Sequence, residues 1–107
     1  MQIKLSTANY LNELNKEKLI TEDELFNPKT NINYGCKYLN YLSKKFNNIT
    51  TILAAYNAGE TRVKSWLTLK NYSSDNKTLD YIPFEETRNY IKKINNNLKF
   101  YEKYFNS

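Results

Sequence analysis

Apolar positions along this chain recur at intervals of three and four, the spacing that lines up side chains on one face of an α-helix. No segment alternates with the two-residue period of a strand. Ser6-Thr7 stand before Ala8, Tyr10, Leu11 and Leu14, a short amphipathic pattern with a hydroxyl cap at its start. Thr21-Glu22-Asp23-Glu24 spells a capping box. Asn27-Pro28 offers a side-chain cap followed by proline at the first helical position, where a missing N–H costs nothing. From there Ile32, Gly35, Leu39, Leu42 and Phe46 predict one buried stripe. Asn47-Asn48 interrupts it. Ile49, Leu53 and Tyr56 outline a further helix that should stop at Gly59, and Val63, Trp66 and Leu67 mark a short one after it. The stretch from Lys70 to Asp80 has no apolar period and reads as a loop. Beyond Pro83, Thr87, Ile91, Ile94, Leu98, Tyr101 and Phe105 predict a last helix of about 20 residues, near 30 Å long. The expected fold class is all-α, one domain over residues 1–107.

Composition narrows the chemistry more than the fold. At 107 residues, with 40% hydrophobic and 15% aromatic content, the chain is one globular domain or part of one. Its net charge of +5 comes from lysines scattered among acids, a solvated surface. No basic cluster interleaved with aromatics points to nucleic acid, so none is expected as a partner. Cys36 is the sole cysteine and there is no histidine. An intrachain disulfide, Ser-His or Cys-His nucleophiles and ordinary zinc sites are thereby excluded, and no metal or cofactor is expected. No apolar run approaches the ~20 residues that span a bilayer. Met1-Gln2-Ile3-Lys4-Leu5 runs straight into polar residues, so no export signal is expected within these residues.

Two segments carry the functional content. The first is Ala55-Tyr56-Asn57-Ala58-Gly59; the second is Ile82-Pro83-Phe84-Glu85-Glu86-Thr87-Arg88-Asn89-Tyr90. Taken alone, the first is a small-residue helix end, with Tyr56 a half-buried aromatic, and the second is good helix-start chemistry with acids at the positive end of the dipole. Their order, together with Asn27-Pro28, Asn31-Ile32, Gly35, Tyr38-Leu39 and Leu42 before them, resembles the SLT family of lytic transglycosylases along nearly the whole chain. Met1-Gln2 resembles the end of that family's Gly-Leu-Met-Gln segment. Two departures stand out: Lys4-Leu5 where relatives commonly have Met-Pro, and Thr61 in place of a frequent glycine.

The resemblance implies a lysozyme-like helical domain that cuts peptidoglycan glycan strands between N-acetylmuramic acid and N-acetylglucosamine without water. One glutamate protonates the leaving oxygen. The substrate's acetamido group steadies the cationic centre, and the same glutamate then removes the 6-hydroxyl proton as an anhydro ring closes, a departure from the two-carboxylate scheme. Gln2, Tyr56, Asn57, Ala58 and Tyr90 are the implied substrate-binding residues, with Arg88 structural. The family's glutamate belongs to a Glu-Ser-x-Phe segment ahead of Gly-Leu-Met-Gln. The expectation is therefore that it lies upstream of Met1, that the domain is N-terminally truncated in this chain, and that the chain alone is inactive. Glu60, Glu85 and Glu86 stand at helix starts that favour the ionised form and make poor substitutes. A non-catalytic glycan-binding module is the alternative. By resemblance the location is extracytoplasmic or wall-associated, and uncovered apolar helix faces imply self-association.

Overall fold

The computed structural model describes the backbone of residues 3–105 and the side chains of residues 3–97. Six α-helices and no strand are found among them: α1 Leu5–Leu14, α2 Glu22–Phe26, α3 Pro28–Ser43, α4 Ile49–Ala58, α5 Glu60–Leu67 and α6 Glu85–Phe105. They group into two compact units, residues 1–44 and 45–107.

In the first unit α1 and α2 both pack on α3. Thr21 and Glu24 complete the expected capping box at α2, each side chain bonding the other's backbone N–H. Asn27 caps α3, its Oδ1 accepting from the N–H of Lys29 at 3.0 Å and of Thr30 at 3.3 Å, with Pro28 at the first position. Helix α1 departs from expectation. It begins at Leu5 with Lys4 at the cap and no side-chain cap, so Ser6 and Thr7 lie inside it. Ile3 is buried beside this start and Ala8 N–H bonds back to the Lys4 carbonyl at 3.0 Å, so burial rather than a hydroxyl sets the boundary.

The stripe predicted on α3 is only partly the buried one. Gly35 and Leu42 are buried, whereas Ile32 is 64% and Leu39 37% exposed. Tyr34 goes in instead, because its hydroxyl finds a partner: it donates to Asn12 Oδ1 at 2.9 Å, and Asn12 is itself buried. Asn12 Nδ2 donates onward to Asn9 Oδ1 at 3.1 Å, and Asn9 exchanges two hydrogen bonds with the backbone of Ile20. This chain of amides ties α3 to α1 and pins the segment that leaves α1. Buried polar groups are tolerated when each is paired in this way.

In the second unit α4 packs on both α5 and α6. Asn48 caps α4, its Oδ1 accepting from the N–H of Thr50 and Thr51. Phe46, Leu53, Ala54, Ala55, Val63, Trp66, Leu67, Ile82 and Ile91 are buried. Trp66 meets Phe84 edge-on at 5.1 Å between ring centroids. Gly59 ends α4 and opens α5 at once, with φ 104° and ψ 144°. The helix stops at Gly59 as expected, with a positive φ but an extended backbone rather than the compact left-handed turn.

A Cβ added at Gly59 would touch nothing within 4 Å, so only backbone strain opposes a side chain there. Gly59→Ala should therefore destabilise the chain by roughly 1–3 kcal/mol, read as a lower denaturant midpoint at unchanged slope.

The loop after α5 is folded around its own acids. Asp75 Oδ1 accepts from the backbone N–H of Thr78 at 2.8 Å and of Lys77 at 2.9 Å, and Asp80 Oδ2 accepts from Ser74 N–H at 2.9 Å. Ser73, fully buried, donates to the Thr78 carbonyl at 2.7 Å. The amides of Thr78 and Lys77, in that order, hold the Asp75 carboxyl down from 3.8 to about 2. A depressed carboxyl stabilises the fold above its ordinary value, and that contribution is lost as the pH falls through about 2. Accordingly, Asp75→Asn should flatten the acid limb of the stability profile between those two values, and carboxyl-carbon NMR should find the Asp75 midpoint below 3.8.

Candidate functional site

The last turn of α4 carries Tyr56, Asn57 and Ala58, all half-buried, and α6 brings Thr87 and Tyr90 to it. The small side chains Ala54 and Ala55, both fully buried, allow α4 to be covered closely. Thr87 Oγ1 donates to Asn57 Oδ1 at 2.8 Å from a position 1% exposed. Tyr90 is close enough to Tyr56 to feel its charge: burial first, and the neighbouring Tyr56 second, raise the Tyr90 phenol above its ordinary 10.0. At neutral pH it is therefore a neutral O–H, able to donate a hydrogen bond. Tyr56, Asn57 and Tyr90 thus meet on one packed pair of helices, with Ala58 closing the turn. Gln2 lies outside the described residues.

Thr87 is the residue that pattern reading placed only as packing. Its polar role is invisible in a three-four stripe, because threonine is as acceptable there as valine; a hydroxyl on a buried face was the available signal. Arg88 is structural, as expected. Its Nη1 donates to the Ile82 carbonyl at 2.7 Å and to the Tyr81 hydroxyl at 2.9 Å, fastening the approach to α6.

Glu60 opens α5 and is less exposed than its helix-start position suggested, with 17% of its side chain accessible; it pairs with Lys64 at 3.1 Å and Lys45 at 3.8 Å. Glu85 and Glu86 are exposed in the first turn of α6. Phenols and an amide can bind and orient a polar ligand.

This helical chain belongs to the transglycosylase SLT domain family, whose model matches residues 1–79, and its fold is the lysozyme-like, all-α one of that family. The match includes Tyr56, Asn57 and Ala58 and ends before Tyr90, so Tyr90 is placed by the packing of α6. Among similar proteins, the soluble lytic murein transglycosylase of Escherichia coli K12 is 44% identical over 73 residues, 66% of this chain and 11% of its own. The same figures hold for the protein of that name in Salmonella typhimurium. A Haemophilus influenzae protein named as a candidate for the same class is 41% identical over 99 residues, 88% of this chain and 16% of its own. The chain thus spans between 11% and 16% of the length of these relatives. No solved structure gives a match. No helix among the described residues is long and apolar enough to cross a membrane.

Tyr56→Phe keeps the ring and deletes the ionisable group beside Tyr90. The Tyr90 midpoint, followed by ring-carbon NMR, should fall part of the way back toward 10.0 and stay above it, since burial is the larger cause. Raising the phenol stabilises the fold below its ordinary value, a contribution lost as the pH climbs through the raised one, so the variant should lose part of that alkaline dependence. At neutral pH the change in stability should stay within about 1 kcal/mol, the net worth of one hydrogen bond.

Proposed function

We propose that this chain forms the cleft-bearing part of a peptidoglycan lytic transglycosylase domain. The general acid that works with it belongs to the family's Glu-Ser-x-Phe segment, ahead of Met1-Gln2. The substrate is the glycan strand of peptidoglycan, and the reaction breaks the bond between N-acetylmuramic acid and N-acetylglucosamine with formation of an anhydro ring, outside the cytoplasm where that polymer lies. The carrying observation is the α4–α6 cluster: Tyr56 and Asn57 at the end of the family's own segment, held against Thr87 and Tyr90.

In this reading Asn57 hydrogen-bonds the sugar, and the neutral phenols of Tyr56 and Tyr90 surround the acid without supplying a charge that would ionise it. By resemblance to the family, Gln2 is a further sugar-binding residue. An acid that must hold its proton near neutral pH and give it up in the transition state needs an enclosed setting of this kind.

Mass spectrometry of digested peptidoglycan tests this. The 107-residue polypeptide should release no anhydro-muropeptides above a boiled blank, and the same polypeptide preceded by a family Glu-Ser-x-Phe segment should release them. Release by the polypeptide alone would move the acid to Glu60, the first residue to replace. Glycan binding without release by the extended protein would make this a glycan-binding module instead.

A further inference from the structure

The hydrogen bond between Thr87 and Asn57 fixes more than a distance. An asparagine side chain is an acceptor at Oδ1 and a double donor at Nδ2, and which end faces outward must be read from its partners. Thr87 has one hydroxyl proton, is 1% exposed, and gives that proton to Asn57 Oδ1 at 2.8 Å. The hydroxyl makes no other hydrogen bond among the described residues. Turning the amide over would set an N–H₂ against the hydroxyl oxygen and strand the hydroxyl proton in a buried place, which interiors avoid. With Oδ1 held inward, Nδ2 is the outward end, and no described residue accepts from it.

We infer that Thr87 is a positioning residue that locks the Asn57 amide with its N–H₂ toward the ligand, so that Asn57 recognises an acceptor oxygen, the carbonyl of a sugar acetamido group. This rests on the glycan reading above and refines it. Sugar hydroxyls both give and accept, and an asparagine able to flip would take either role. A locked one offers donors only, and the acetamido carbonyl is the strongest uncharged acceptor on an N-acetylated strand. Selection of N-acetylated over plain sugar then depends on a residue that need not touch the sugar.

The test is side-chain amide NMR with two neutral probes, a β-1,4-linked N-acetylglucosamine tetramer and a glucose tetramer of the same linkage. In the free chain the Asn57 Nδ2 protons should exchange with water as readily as those of exposed asparagines. Protected Nδ2 protons would mean the amide is reversed and would overturn the inference without any ligand. The N-acetylated tetramer should shift the Asn57 resonances. Thr87→Val should weaken its binding about tenfold, as the loss of one well-placed hydrogen bond would, and Thr87→Ser should restore it to within about twofold. The Val-for-Thr deficit should vanish with the glucose tetramer. A deficit equal for both sugars, at matched thermal midpoints, would make Thr87 merely structural, as would full binding by the valine variant. Failure of the unmodified chain to bind the N-acetylated tetramer while its Nδ2 protons exchange freely would overturn the glycan reading itself and, with it, the acetamido assignment.

Discussion

At Gly59 the chain leaves one helix and enters the next with no residue in between. Its N–H closes α4 on the Ala55 carbonyl at 2.9 Å, and its own carbonyl receives Val63 N–H at 3.2 Å to begin α5. Doing both requires a φ of 104°, which a residue with a Cβ adopts only under strain. With α5 packed on α4, Val63, Trp66 and Leu67 are buried, while α6 also packs on α4. A longer connection would add freedom: Tyr56 and Asn57 stand three and two residues from this hinge point, and their placement inherits its rigidity.

The asparagines that crowd this sequence turn out to be structural workers in several places. Asn27 and Asn48 each cap a helix with a pair of backbone bonds, and Asn9 and Asn12 carry a buried relay to Tyr34 and Ile20. Asparagine does these tasks well because its amide accepts and donates at once over a short reach. The cost is that composition hides function. Asn57 looks like one more member of this population until its partner and its outward end are known.

Local chemistry made much of the helical framework legible. The Thr21 capping box, the Asn27-Pro28 start, the Gly59 stop, the loop from Lys70 and the long last helix all follow from rules acting over a few residues. Which face of α3 is covered did not follow. Ile32 and Leu39 are spaced seven apart, as are Gly35 and Leu42, and periodicity alone cannot rank two neighbouring stripes; the Tyr34–Asn12 bond decides it from a distant part of the chain. The site shows the same division. Tyr56, Asn57 and Ala58 were visible as a contiguous string, but Thr87 was not. Thr51 makes the reason concrete: it too is fully buried, yet its hydroxyl has no partner in the structure. Two buried threonines in helical stripes look alike in sequence, and only three-dimensional placement separates the one that holds the Asn57 amide.

The electrostatic contrast within residues 45–107 bears on what kind of acid the cluster could serve. Glu60 shows one environment: two lysine ammonium groups lie within 4 Å of its carboxylate. The α4–α6 cluster is the opposite. Its polar members are phenols and an amide, the Tyr90 phenol is held neutral chiefly by burial, and the ion pairs of Glu60 involve none of these side chains. Partial burial of this kind would disfavour ionisation of a carboxyl group brought to it. Among the described carboxylates, Asp75 is held instead by loop amides, Glu24 by a helix cap and Glu60 by lysines.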